Sequence, residues 1–191
     1  MWPTLSGQMT KFEYWAMPRE DDRIMPFFKD TLPKFRSPQK LSDVVSRLTK
    51  DSGYAAVFIP GGHGALIGLP GSGEVATTLR WTMQTDRVVI SLCHGPAAFL
   101  SLRQGDNPLS GYSVCVFPDS ADKQTPAMGY MPGHLTWYFG DALQKMGIII
   151  VNNDIKGAVH KDRNVLTGGS PFAANTLGQL AAKELLARFM E

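Results

Sequence analysis

The stretch DRVVISLCHGPAAFLSL, residues 86–102, constrains the fold of this chain more than any other. Arg87 to Leu92 carries a β-branched apolar run, the pattern of a strand buried on both faces of a parallel sheet. Gly95 and Pro96 interrupt it, and proline suits the first turn of a helix continuing from Ala97 to Leu102. Cys93 therefore falls at the hinge, lifted above the edge of the sheet. The unpaired N–H groups and dipole of the helix N-terminus predict a thiolate there. Strand, sharp turn and helix make the geometry of a nucleophile elbow, with cysteine in place of the usual serine. The competing reading is a buried apolar filler, the common role of a free cysteine.

The rest of the chain repeats that alternation. Residues 1–40 read as short helices and loops forming a lid or small subdomain, since Trp2, Phe12, Tyr14, Trp15, Phe27, Phe28 and Phe35 follow no sustained period and prolines recur at 3, 18, 26, 33 and 38. These aromatics suit an interaction patch or, more simply, packing against a main domain. The remainder, 41–191, reads as an α/β core. Leu41, Val44, Val45 and Leu48 have helical spacing, with Gly53 as the stop. Tyr54 to Ile59 is a buried-type strand that ends in PGGHGALIGL, where Gly61, Gly62 and Gly64 permit a tight turn and close approach to a ligand. This is no phosphate loop, because the Lys-Ser/Thr ending is missing and GxGxxG does not occur. Helices are predicted over 74–83 and 135–146, strands over 112–117 and 148–154, and a hairpin over 158–169. Ser170 reads as the N-cap of a last helix that begins near Pro171 and runs to Phe189. Strands alternating with helices predict a three-layer α/β sheet that is mostly parallel.

The chain's 191 residues, 43% of them hydrophobic and 19% charged, can bury a core as one domain with a small appendage. A net charge of +2 argues against a nucleic-acid or anionic-membrane partner built on electrostatics. No apolar run approaches a membrane span and no signal-peptide pattern opens the chain. With only Cys93 and Cys115 there is no disulfide framework, so a reducing cytoplasm is the expected compartment.

Three strand-end loops carry polar chemistry: Gly61–Gly62–His63, Cys93–His94 and Asp119 to Asp122. A thiol nucleophile needs a base and donors for a developing oxyanion. His94 is the candidate base, although neighbours in sequence tend to point apart, and Asp119 or Asp122 would orient its ring. The N–H groups of Gly62 and His94 are candidate oxyanion donors. Cys115, inside a strand, reads as structural, and His63, His134 and His160 read most simply as hydrogen-bonded histidines. No two His, Cys or carboxylate residues share a metal-ligand spacing, so no metal is expected. An elbow thiol suits acyl transfer as well, which keeps a cysteine hydrolase or amidotransferase in view.

PGGHGALIGL, ISLCHGPAAFL, FPDSADKQTP, MGYMPGHLTWYFG, HKDRNVLTGGSPFAAN and the early KFEYWAMP together resemble the HchA-type branch of the PfpI-like superfamily. Its members are bacterial heat-inducible chaperones also described as glyoxalase III and as protein deglycases. The resemblance runs from about Ser6 to the C-terminus, and it implies that the sheet is flavodoxin-like. CHGP is shared across the superfamily, whereas KFEYWAMP and GYMPGHLTWYFG are specific to this branch. It implies a catalytic Cys93–His94 pair with Asp122, rather than Asp119, as third member, beside a substrate loop of Gly61, Gly62 and His63. It implies cofactor-free conversion of methylglyoxal to lactate, reversal of glycation on proteins and nucleotides, binding of unfolded clients, and a homodimer.

The resemblance also implies a family segment, about a third of the family's length, that would precede this sequence. That segment supplies a strand and helix in the middle of the sheet, a glutamate that shuttles protons beside the nucleophile, and two of three ligands of a zinc site. The third ligand position is Thr31 here, so no zinc is expected. Two strands flanking the missing one are expected to expose unpaired edges. The activity of this chain is then an open question between an enzyme, a chaperone-like binding module and an inactive fragment.

Overall fold

The computed structural model describes residues 3–4 and 24–189, so most of the aromatic-rich opening, KFEYWAMP included, lies outside the described residues. The chain divides into two compact units, Met1–Thr49 and Lys50–Glu191. In the first, β1 (Pro3–Thr4) pairs in parallel with β2 (Gln39–Lys40), and between them in sequence runs α1 (Met25–Arg36). The helix predicted from Leu41 shortens to α2 (Leu41–Val45), with Leu41 and Val44 buried, and it belongs to this first unit. The apolar positions sustain little more than one turn here, and Ser46, Arg47, Lys50 and Asp51 follow in turns.

The second unit is a three-layer α/β body. Its sheet runs in the order β3 (Ala56–Ile59), β4 (Val88–Leu92), β8 (Val165–Gly168), β7 (Val159–Asp162). The β3–β4 and β4–β8 pairings are parallel, with Ala56 opposite Val88 and Val89 opposite Val165, and only the β7–β8 hairpin is antiparallel. Central β4 is buried at Val88, Val89, Ile90 and Ser91, which is why its sequence is apolar without alternation. Val88, Ile90 and Leu166 pack beneath Leu177 and Ala181 of α6 (Ala174–Phe189), while α3 (Gly73–Gln84) lies against β3 and β4 outside that cluster. Ser72 caps α3 by accepting from the Val75 N–H at 3.2 Å.

Several elements are shorter than the sequence predicts, and in each case a side chain has taken over a backbone role. The expected strand 112–117 forms a ladder only at β5 (Ser113–Val114), parallel to β6 (Ile149–Ile150). Beyond it, Cys115 N–H donates to Thr167 Oγ1 at 2.8 Å, and the Asn152 amide holds both the N–H and the carbonyl of Val116 at 2.9 Å. A short α4 (Asp119–Asp122) follows, and α5 starts late, at Phe139–Lys145, because the Asp119 carboxylate accepts from the N–H groups of Gly140 and Asp141 there. Ser170 caps nothing with its side chain. Its hydroxyl donates to the Ile155 carbonyl at 2.9 Å, and a 3₁₀ turn at Pro171–Ala173 precedes α6. The helix after Cys93 is a 3₁₀ helix, Gly95–Arg103, sealed in at Phe99 and Leu102.

Among the described residues β3 and β7 are the two edges of this sheet, and Phe58 of β3 is 50% exposed. No described helix is long and apolar enough to cross a membrane.

Gly95 sets the fit between the 3₁₀ helix and the sheet. A Cβ there would come within 2.4 Å of the Ile59 carbonyl oxygen and 2.5 Å of Ser91 Oγ. Gly95→Ala is expected to destabilise the protein by about 1–3 kcal/mol. Gly178→Ala on α6, where an added methyl meets nothing within 4 Å, is expected to stabilise it by about 0.5–1 kcal/mol. Urea unfolding of both variants checks the contrast, and equal shifts would refute this reading of the packing.

Candidate active site

Cys93 adopts φ = 61°, left-handed backbone that a side chain larger than hydrogen rarely takes. Two hydrogen bonds hold it there. The Cys93 N–H donates to the Gly168 carbonyl at 2.7 Å, extending the β4–β8 ladder by one step, and the Phe117 N–H donates to the Cys93 carbonyl at 2.8 Å. The residue is thus pinned from β8 on one side and from the segment after β5 on the other. Gly61 permits the close approach of the next loop, since a Cβ on it would lie 2.5 Å from that of Cys93. Gly62, at φ = 98°, turns the same loop in a conformation reserved for glycine.

The turn brings His94 back onto its neighbour. Cys93 Sγ lies 3.3 Å from His94 Nδ1, and His94 Nε2 lies 3.1 and 3.0 Å from the two carboxylate oxygens of Asp122. The imidazole is held between Phe117, stacked at 4.6 Å, and Phe139 at 5.6 Å. The tendency of adjacent side chains to diverge is overcome by the left-handed residue. Asp122 and not Asp119 faces the histidine, because Asp119 spends both oxygens on the start of α5. His63 also reaches Asp122, its Nε2 3.0 Å from Oδ1, and its ring sits 4.2 Å from that of His94. That second imidazole on the aspartate is the feature sequence reasoning missed. Gly61–Gly62–His63 was read as a substrate loop, and nothing in the spacing joins residue 63 to residue 122. The N–H groups of Gly62 and His94 donate toward the Cys93 sulfur. His134 and His160 stand outside this cluster.

The electrostatics reverse one expectation. The helix terminus was expected to favour a thiolate, but burial pushes the Cys93 thiol up to about 11, outweighing the N–H donors of Gly62 and His94, and the Asp122 charge pushes the same way. Burial likewise lowers His94, against the opposing pull of Asp122. Burial raises Asp122, yet the hydrogen bonds from His63 and His94 outweigh it and hold the carboxyl below its ordinary value. The resting state is therefore a neutral thiol, a neutral imidazole and a carboxylate. An ionised carboxylate only accepts, so His94 carries its proton on Nε2 and presents the bare Nδ1 to the thiol. The arrangement can take a proton from sulfur at the moment of attack.

His63, His94 and Asp122 also form the group among the described residues whose donor atoms could hold a metal, all within 4.8 Å of one another. The donors come from three separate elements, so no local spacing announces them.

Set beside known proteins, the chain is 68% identical over 186 residues to the protein/nucleic acid deglycase HchA of Escherichia coli O1:K1 / APEC, covering 97% of this chain and 66% of that protein. Against the protein of the same name from Shigella sonnei strain Ss046 the identity is 68% over 188 residues. Over nearly its whole length the chain is similar to the HchA deglycases. It spans 66% of the length of these curated relatives. No protein-family model matches it. In fold it resembles the rapid encystment protein of Francisella tularensis, with TM-score 0.75, 19% identity and coverage of 95% of this chain and 79% of that one. It also resembles glyoxalase III of Candida albicans, with TM-score 0.63, 21% identity and coverage of 84% and 69%. The mostly parallel, flavodoxin-like α/β architecture is the fold it shares with these structures.

Two expectations follow. Both thiols are raised by burial from an ordinary 9.0 to about 11, so the folded protein holds protons that the unfolded chain releases. Stability is then full below about pH 9 and falls as pH rises from 9 towards 11. Unfolding midpoints across that range check this, with Cys115→Ser flattening the profile, and a flat profile in the unaltered protein is the contrary result. Asp119→Asn is expected to cost about 1 kcal/mol by weakening the α5 cap. It should leave the alkylation rate of Cys93 unchanged, whereas Asp122→Asn should alter that rate.

Proposed function

We propose that this chain performs the deglycase and glyoxalase III chemistry of its family, with Cys93 as nucleophile, His94 as base and Asp122 as the group that orients it. The observation that carries the proposal is the continuous Cys93–His94–Asp122 relay, set on a strained elbow. In this reading the Cys93 sulfur attacks the aldehyde carbon of methylglyoxal while His94 Nδ1 takes the thiol proton. The N–H groups of Gly62 and His94 receive the oxyanion, which gains a proton to give a hemithioacetal. Transfer of the hydrogen from the former aldehyde carbon to the neighbouring carbon leaves a lactoyl thioester. Water then releases lactate and restores the thiol. The same attack on a glycated amine, thiol or guanine frees the original group, in keeping with the name that the relatives carry.

No redox or group-carrying cofactor has a step in this sequence. Asp122 is the carboxylate acting on the thiol among the described residues. Hydrogen transfer between the two carbons is assigned to His94, whose Nδ1 lies 3.3 Å from the Cys93 sulfur. Substrates are small dicarbonyls and glycated proteins or nucleotides. A homodimer, a cytoplasmic location and binding of unfolded clients rest on the family resemblance, to which the free thiols and the exposed edge at Phe58 add support.

The test is methylglyoxal loss with lactate formation by the purified chain. Cys93→Ala is expected to abolish it, His94→Ala to lower it by about 10²–10⁴-fold, and Cys115→Ser to leave it intact. Loss that persists in Cys93→Ala overturns the proposal. Suppression of client aggregation that is indifferent to Cys93→Ala, without turnover, would support a binding module in its place.

A further inference from the structure

The relay of the proposed reaction leaves one arrangement unused: a buried carboxylate facing two imidazoles rather than one. We propose that His63, His94 and Asp122 form a binding site for a zinc-like divalent transition ion, and that the ion, once bound, withdraws His94 from the thiol.

The donor set is chemically apt. Two imidazole nitrogens and one carboxylate oxygen suit zinc and its first-row neighbours, and three protein ligands leave a fourth position for water. The distances fit closely. Tetrahedral zinc, with bonds of ~2.0–2.2 Å, sets its donor atoms about 3.3–3.5 Å apart. His63 Nε2 and His94 Nε2 stand 3.0 and 3.1 Å from Asp122 Oδ1, so these two pairs open by a few tenths of an ångström, and all three donor atoms lie within 4.8 Å of one another, a spread that small side-chain rotations adjust. Much of the desolvation cost is already met by folding, since Asp122 is fully buried and the His94 side chain is 2% exposed. His63, at 17%, is the member with a face to solvent and marks the way in. The carboxylate of Asp122 supplies the one anionic donor of the set.

Protons balance simply. Each imidazole turns its Nε2 lone pair to the ion and carries its proton on Nδ1 instead. For His63 this is a change of tautomer. For His94 the new Nδ1–H points at the Cys93 sulfur and donates to it, so neither imidazole releases a net proton. His94 then has both nitrogens engaged, and the base of the proposed reaction is gone. Cys93 stands outside the ligand set, as the acceptor that fixes the orientation of a metal-bound histidine.

Zinc titrated into the chain against a chromophoric chelator is the direct test. One equivalent is expected, with affinity lowered at least about tenfold in His63→Gln and in Asp122→Asn. Cys93→Ser and Cys115→Ser should keep the equivalent. Circular dichroism establishes that each variant is folded. Imidazole NMR of the unaltered protein, in which zinc should shift the resonances of two histidines and spare the other two, supplies a reading free of substitutions. No binding, binding indifferent to His63→Gln, or binding lost in the cysteine variants instead would each overturn the site. Where methylglyoxal turnover is measurable, stoichiometric zinc should suppress it and a chelator restore it. The binding arms stand even if turnover is absent, so failure of this proposal and of the proposed function remain separate results.

Discussion

The second unit depends most on the backbone conformation of a single residue. With a right-handed or extended Cys93, the chain leaving β4 would carry His94 away from the thiol, the ordinary outcome for neighbours in sequence. The left-handed φ of 61° costs free energy of order 1–3 kcal/mol and persists only because its surroundings over-determine it. Those surroundings are identifiable. Gly168 anchors the residue's N–H, Phe117 its carbonyl, and Gly61 leaves room for its Cβ. Strand pairing between β4 and β8 is therefore part of the chemistry as well as of the fold, because the last ladder bond sets the elbow.

Burial then decides what kind of thiol the elbow holds. Donors at the turn and a helix terminus favour the anion, while desolvation opposes it, and desolvation wins by enough to raise Cys93 to about 11. The consequence is chemical selectivity. A standing thiolate reacts with any electrophile that reaches it, including oxidants. A neutral thiol beside a neutral imidazole becomes nucleophilic only as a substrate carbonyl engages and the proton crosses 3.3 Å to Nδ1. Asp122 holds this balance, since its charge discourages the thiolate and supports the imidazolium that forms during attack.

The legibility of these features in the sequence follows the range of the interactions that make them. The β4 strand, the α3 helix, the β7–β8 hairpin and the elbow itself are written in local patterns, and each stands where those patterns place it. What the sequence does not show is the substitution of side chains for backbone. Asn152 takes the place of a strand opposite Val116, Asp119 delays α5 to Phe139, and Ser170 turns to Ile155 instead of capping a helix. Each of these spans more than ten residues, and no period or propensity encodes it. The choice between Asp119 and Asp122 shows the same limit. Spacing leaves both open, the family resemblance selects Asp122, and only the cap at Gly140 explains why Asp119 is otherwise engaged.

His63 carries that argument furthest. The residues alone read it most simply as a hydrogen-bonded histidine and the family resemblance places it in a substrate loop, and neither reading names its partner. Its partner lies 59 positions away on α4, and the contact exists because β3 and the segment after β5 both end beside the elbow. A parallel sheet gathers the C-terminal ends of its strands along one edge, so residues remote in sequence meet there without any motif to announce them. The aspartate thus acquires two imidazoles where a triad requires one. The second adds a hydrogen bond that helps keep the carboxylate ionised at depth, and it is the one member of the cluster with an appreciable opening to solvent. The same topology that assembles a nucleophile from three loops therefore also assembles, without further residues, a set of converging metal donors.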